Sequence, residues 1–190
     1  MLSSQTFGLC CRILMKVNAK QSNVKLSYRD ASLLDVPFIF DLMMDGAMNG
    51  SFSDAFIERK GSPQLLWAIF TGIISQKFLS KSSPMQFRWQ LVLDITGNEV
   101  GFLKTSIHTL EAVCHLELLA IVQKRRNLGI GTSVVRDITS KLPNQAQLRV
   151  HCTKFSRAMQ HILKRNDFSR THQVLQGYSV EEYISNRVPL

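Results

Sequence analysis

The chain has 190 residues, enough for one sizeable domain and thin for two. Hydrophobic residues make up 45% and charged residues 19%, which excludes a disordered or collagen-like chain. Lys and Arg number 23 against 14 Asp and Glu, and the formal charge of +9 favours acidic partners: a phosphorylated small molecule, nucleic acid or an anionic surface.

The cysteines are Cys10, Cys11, Cys114 and Cys152. No C-x-x-C spacing exists, and the vicinal pair Cys10-Cys11 makes a strained disulfide, so neither a zinc ribbon nor a disulfide framework is expected. A reducing cytoplasm fits scattered thiols. Cys114-His115 and His151-Cys152 carry metal-ligand chemistry. One pair opens a strand and the other closes its parallel neighbour, so they are expected to lie too far apart for one tetrahedral site, and no metal is expected. No apolar run reaches about 18 residues, so no membrane helix is expected. Residues 1–22 read as a flexible N-terminal segment before one domain at 23–190. The first acid is Asp30, which gives this segment a weak likeness to a transit peptide, and Met15 offers an alternative start.

Val24 to Arg29 alternates as a strand. Ser32 caps a helix with Asp35 in its first turn, Leu34, Phe38, Ile39 and Leu42 form its apolar face, and Gly46 and Gly50 break it. Ser62 caps the next helix with Pro63 at its first position. Leu65, Leu66, Ile69, Phe70, Ile73 and Ile74 follow at helical spacing, to an end near Ser80. The period then changes to two. Phe87, Trp89, Leu91 and Leu93 share a face, Thr96-Gly97-Asn98 turns, and Val100 to Ile107 returns, so the segment is a hairpin. A third strand runs from Val113 to Val122. A helix starts near Gly129, turns Val134, Val135, Ile138 and Leu142 inward and stops at Pro143. Gln147 to His151 is a strand, and Phe155, Met159, Ile162 and Leu163 mark a last helix ending near Asn166. One or two strands close the chain around Gly177. This order implies a mixed sheet flanked by helices.

The segment from His115 to Thr132 carries the chemistry. An apolar strand runs into a basic turn, Lys124-Arg125-Arg126-Asn127-Leu128-Gly129-Ile130-Gly131-Thr132, and then into a helix. Backbone N–H groups of such a turn and the helix N-terminus suit a phosphate or pyrophosphate. Gly129 and Gly131 let the backbone approach the ligand without a Cβ. No lysine follows Gly131 as a P-loop requires, and Val134 stands where a dinucleotide fingerprint needs a third glycine.

Arg126-x-x-Gly129-x-Gly131 resembles the R/Q-x-x-G-x-G/A turn by which GNAT acetyltransferases hold the coenzyme A pyrophosphate. The preceding strand, the following helix and the element order match as well, and Ser156 to Phe168 resembles the family's N-x-x-A-x-x-L-Y-x-x-x-G-F helix in spacing. The resemblance spans Val24 to Tyr183 and is strongest from Glu117 to Leu142. It implies an α/β (α+β) single domain: a mixed, mostly antiparallel sheet of six to seven strands with a splayed parallel pair, flanked by four helices. It also implies an acetyl-coenzyme A-dependent N-acetyltransferase that moves the acetyl group directly to a primary amine. The donor site would comprise backbone groups of Leu119 and Ile121, the turn residues Arg126, Asn127, Leu128, Gly129, Ile130, Gly131 and Thr132, and Ser156. A backbone N–H on this strand would polarise the thioester carbonyl. Glu117, sharing a face with His115, is the expected base, with His115 as the other candidate.

Three departures stand out. Leu163 falls where relatives often carry the tyrosine that protonates the leaving thiolate, Ser156 replaces the usual asparagine, and Asp167 replaces the usual glycine. Tyr178 and Ser156 are the remaining hydroxyls nearby. The missing tyrosine motivates a second reading, a catalytically weak protein of this fold that binds acyl-coenzyme A as a sensor. A nucleic-acid reading has charge in its favour, but the Lys and Arg are scattered and no aromatics are interleaved with them. Asp45, Asp54, Glu58, Glu181 and Glu182 are candidate ammonium partners for an acceptor, and a sheet edge offers a surface for a homodimer.

Overall fold

The protein is described by a computed structural model over residues 24–52, 57, 61–78, 85–108, 111–143, 146–174 and 180–186. Residues 1–23, Asp54, Glu58, Gly177 and Tyr178 lie outside that description. In chain order the elements are β1 Ser27–Asp30, α1 Val36–Met48, α2 Gly61–Phe78, β2 Met85–Leu93, β3 Glu99–His108, β4 Val113–Ile121, α3 Ile130–Lys141, β5 Gln147–Thr153, α4 Arg157–Arg165, β6 Phe168–Val174 and β7 Val180–Ser185. The strands form one sheet ordered β1-β2-β3-β4-β5-β7-β6. Every pairing is antiparallel except β4 with β5. The expected mixed, mostly antiparallel sheet with one parallel pair is thus realised with seven strands.

Alternation along the strands divides the core between the two faces. Leu103, Cys114, Leu116, Leu148, Val150, Cys152 and Tyr183 face α3 and α4, where Val134, Val135 and Leu163 meet them. Trp89, Leu91, Phe102 and Ala120 face α1 and α2, meeting Ile39, Met43, Leu65, Ile69 and Ile73. Each cluster removes many apolar side chains from water, which is the main force holding helices to the sheet.

Several local expectations change. The Ser32 cap opens a single 3-10 turn, Leu33–Asp35, before α1 begins. Asp35 accepts from the Ser32 N–H at 2.7 Å and is gripped by Arg29 at 2.7 and 2.8 Å. This tighter turn rotates Leu34 out of the apolar face, and it is 91% exposed. Ile39, Leu42 and Met43 carry the burial instead. Gly46 does not break α1, which runs on to Met48, because the Phe52 ring packs over the glycine and leaves no room for a side chain. The break falls at Gly50, where φ is +75°. In α2 Leu65, Ile69 and Ile73 are buried, whereas Leu66 and Phe70 are exposed, so the inward stripe is narrower than the apolar pattern. Phe155 lies outside α4, exposed in the turn after β5.

No helix among the described residues is long and apolar enough to cross a membrane.

Candidate active site

The site begins where β4 and β5 stop pairing. Their parallel register runs from Val113↔Gln147 to Leu116↔Val150 and ends there, although both strands continue. The two strands therefore part, and β4 keeps an unpaired edge facing the opening. Val122 donates its N–H to the Val100 carbonyl at 2.9 Å, toward β3. Alternation then turns the N–H and C=O of Leu119 and Ile121 to the opposite side, into the opening. One of these groups is already engaged, since the Ile121 carbonyl accepts from Arg126 Nε at 2.9 Å.

Just inside the opening, β4 carries a bulge. The register with β3 steps from Lys104↔Leu118 to Thr105↔Leu116, so Glu117 is the extra residue. Its carboxylate pairs with the Lys104 ammonium, and that ammonium lies over the rings of Phe87 and Trp89 at 5.2 and 5.3 Å. Glu117 and His115 both lie on the α1–α2 face: Lys104, the partner of Glu117, shares that face with Phe102 two residues before it on β3, and His115 lies opposite the buried Cys114 and Leu116. Opposite His115 on the same face, the Ser106 hydroxyl is buried without a protein partner among the described residues. His115 is held toward its neutral form, first by burial and then by His151, His108 and Arg149, against the opposing pull of Glu117.

At the far end of β4 the chain turns into α3. Asn127 has φ +63° and Gly129 φ +81°, so two left-handed residues swing the backbone round before the helix. Gly129 is the N-cap of α3, and Ser133 is the residue that returns its N–H to the Gly129 carbonyl at 2.9 Å. The N–H groups of Ile130, Gly131 and Thr132 lie in the first turn, where a helix has no internal acceptors for them. With the helix dipole they form a cradle for an anion, and Arg126 stands beside it. Arg126 is fixed from both sides, by the Ile121 carbonyl and by an ion pair with Asp45 of α1. Arg125 turns away, toward Asp94 in the β2–β3 turn at 3.3 Å, while Lys124 and Leu128 are exposed.

The second glycine also lies against α4: a Cβ on Gly131 would meet Ile162 Cδ1 at 2.9 Å. Leu163 is fully buried in the core cluster that α3 and α4 form with the sheet. Ser156 is buried, with its hydroxyl 2.9 Å from the Ser51 carbonyl, and Thr153 Oγ1 lies 3.0 Å from the Gly50 carbonyl. These two contacts fasten the β5–α4 turn to the chain just after α1.

One sequence expectation is overturned. His115 and His151 are not far apart: their ring centroids are 5.8 Å apart, and His108 lies 5.7 Å from His115. The short pairing places His115 opposite Arg149, so His151 is its diagonal neighbour on the same face. Cys114 and Cys152 point to the other face and are buried there. A mixed Cys–His ligand set is therefore prevented by alternation rather than by separation. The described residues contain no group of three or more His, Cys, Asp or Glu able to hold a metal ion.

Two carboxylates of the tail also separate by alternation. Glu181 faces α4, where Tyr183 donates to it at 3.0 Å and Arg170 pairs with it at 3.0 Å. Burial and Glu181 push the Tyr183 phenol up to about 12. Glu182 faces the His row and is buried. The sequence pattern could have revealed the His row once the β4–β5 register was known, but nothing in the sequence fixes that register.

No protein-family model matches the chain, and no curated relative matches it in sequence. Solved structures do match. The ribosomal L7/L12 α-N-protein acetyltransferase RimL, in complex with coenzyme A, superposes with a TM-score of 0.62 at 13% identity, covering 84% of this chain and 92% of that one. The spermidine N-acetyltransferase of Vibrio cholerae, with coenzyme A and spermine, gives 0.59 at 13% identity over 84% and 92%. An acetyltransferase of the GNAT family from Staphylococcus aureus Mu50 gives 0.59 at 15% identity over 86% and 100%. The fold is that of the GNAT acetyltransferases: a mixed sheet whose one parallel pair parts over a glycine turn and a helix N-terminus. At these identities the likeness is one of architecture.

Proposed function

We propose that the chain is an acetyl-coenzyme A-dependent N-acetyltransferase that passes the acetyl group directly to a primary amine within a ternary complex. The observation that carries this reading is the conjunction of the parted β4–β5 edge with the anion cradle at Gly129, at the two ends of one strand. A thioester arm lying along the edge would put its pyrophosphate at the cradle.

The cradle N–H groups of Ile130, Gly131 and Thr132 would hold the phosphates, with Arg126 beside them and Asn127, Leu128 and Gly129 shaping the turn. Leu119 and the Ile121 N–H would bond the arm as a neighbouring strand does. Acetyl-coenzyme A supplies an activated acyl group, so the protein needs no covalent intermediate of its own. Glu117 is placed to take the proton that an ammonium acceptor must lose, directly or through water. His115, held neutral, is the second candidate on that face. Ser156 supports the site through the Ser51 carbonyl and is an indirect contributor. Leu163 cannot donate a proton, so the thiolate either takes one from another donor or leaves unprotonated, which a thiol pKa of about 8.5 partly allows.

The acceptor is an amine. The structural neighbours acting on a ribosomal protein N-terminus and on spermidine favour that class without choosing within it. The unpaired thiols Cys114 and Cys152 fit a cytoplasmic setting. Calorimetry with acetyl-coenzyme A, beside the Gly129→Glu variant, is the test: micromolar binding that the variant loses supports the reading, and no binding by folded protein overturns it.

Two observations favour a second reading, a weakly catalytic acyl-coenzyme A sensor: the buried Leu163 and the Lys104 ammonium on Glu117. Release of free coenzyme A with any member of an amine panel would sink it.

A further inference from the structure

Glu117 has a counterpart across the opening. Leu116↔Val150 is the last parallel pair, so the next residues, Glu117 on β4 and His151 on β5, form the two lips of the parted strands. His151 lies on the same face as Glu117 and His115, because it pairs with Glu182 of β7 on that face. Its Nε2 is 3.5 Å from Glu182 Oε1. The Glu182 side chain is only 7% exposed, and it is held in place by Thr171 Oγ1 at 2.9 Å and by Arg149 at 3.7 Å. With Nε2 nearest a carboxylate, a neutral imidazole that keeps its proton there would leave Nδ1 as an acceptor. Nδ1 has no protein partner among the described residues, and the side chain is 34% exposed, enough to be reached.

Among the described residues, the charged and titratable groups facing His151 are Glu182 from β7, Arg149 from β5, and His115 from β4 with His108 of β3 behind it. Arg149 and Glu182 balance one another. On the opposite lip the Glu117 carboxylate is already matched by Lys104.

We propose that His151, oriented by Glu182, is a second base of this site. It takes on Nδ1 the proton that the amine nitrogen sheds once it has attacked the thioester, the ammonium's own proton having gone to Glu117. The N–H bond breaks, its electron pair stays on the amine nitrogen, and the imidazolium formed is stabilised by the buried Glu182 carboxylate until solvent removes the proton. His151 is the catalytic group and Glu182 a positioning residue. The inference rests on the acetyltransferase reading.

The experiment uses the full chain with His151→Ala and Glu182→Gln. Acetyl-coenzyme A affinity measured by calorimetry should stay within about twofold of wild type in both, which shows that the site is folded. His151→Ala should lower kcat by about 100-fold, the lower part of the range for a general base. Free imidazole in the assay should restore part of that loss, and should do nothing for Glu117→Gln. Nitrogen-15 spectra of the histidine rings give a reading that needs no turnover: neutral His151 should be protonated on Nε2, and Glu182→Gln should redistribute the proton between the two nitrogens. An unchanged kcat, a loss that imidazole does not restore, or a wild-type ring already divided between tautomers overturns the proposal. A wild-type protein that binds no acetyl-coenzyme A fails in a different arm, and takes the acetyltransferase reading with it.

Discussion

Glu117 and Lys104 meet because β4 holds one residue more than β3 at this point. The step in register leaves Glu117 unmatched in the ladder and lays its carboxylate on the Lys104 ammonium. Without the bulge, strict alternation would put Leu118 on the α3–α4 face and Leu119 on the other. With it, Leu118 faces α1 and α2, and Leu119 faces α3 and α4.

Glu117→Gln should therefore separate chemistry from binding. The amide keeps an oxygen for Lys104 and keeps the shape of the bulge. A fall in kcat of about 100-fold is expected, with acetyl-coenzyme A affinity nearly intact. Steady-state kinetics beside calorimetry reads both, and an unchanged kcat removes Glu117 from the mechanism.

Gly129 sits at φ +81°, where an L side chain costs about 1–2 kcal/mol. Gly129→Ala should lose roughly that much stability in a urea titration. Gly129→Glu adds an acid against the phosphates, and should weaken acetyl-coenzyme A at least about tenfold more than the alanine variant does. Equal affinities for the two variants would place the phosphates elsewhere.

Leu163 is fully buried, so restoring the tyrosine that relatives carry should not restore a proton donor. Leu163→Tyr should cost about 1–3 kcal/mol through overpacking and leave kcat no higher than wild type. A rise in kcat with retained stability would mean that the phenol reaches the opening.

Asp35 carries a pH signature. The hydrogen bond from Arg29 is the largest influence on it, opposed by burial and aided by Ser32, and its carboxyl falls from 3.8 to about 2. A carboxyl lowered in the folded state stabilises above its unfolded value, and the gain is lost as pH falls through the folded value. Asp35→Asn should be less stable by about 2 kcal/mol near neutral pH. The gap should close between about pH 4 and pH 2. Urea titrations of the two proteins across that range decide it, and a gap that persists to the acid limit would assign the loss to packing.

Much of this was legible in the chain. The period-two run from Phe87 to Leu93, against the 3.6-residue pattern of Leu65, Ile69 and Ile73, separated strand from helix, because each period reports which side of an element leaves water. Gly129 before a helix announced the cradle, since few residues other than glycine hold a left-handed cap without strain. Leu34 and Phe155 were misplaced because a single tight turn shifts the phase of the pattern, and periodicity cannot see where a helix begins. Gly46 was misread because a glycine can serve a neighbouring ring as well as a break.

The sequence by itself determined the elements, the turn and the acid on the strand, all of which rest on local backbone preference and on alternation. The tertiary structure alone decided how far β4 and β5 stay paired, where the bulge falls, and which side chains meet across strands. Those depend on register between separate segments of chain, Lys104 with Leu118 for the bulge and Leu116 with Val150 for the parting. Only after register is set do Lys104 and Glu117, or His151 and Glu182, become neighbours, because a side chain's partner across a sheet belongs to another stretch of chain.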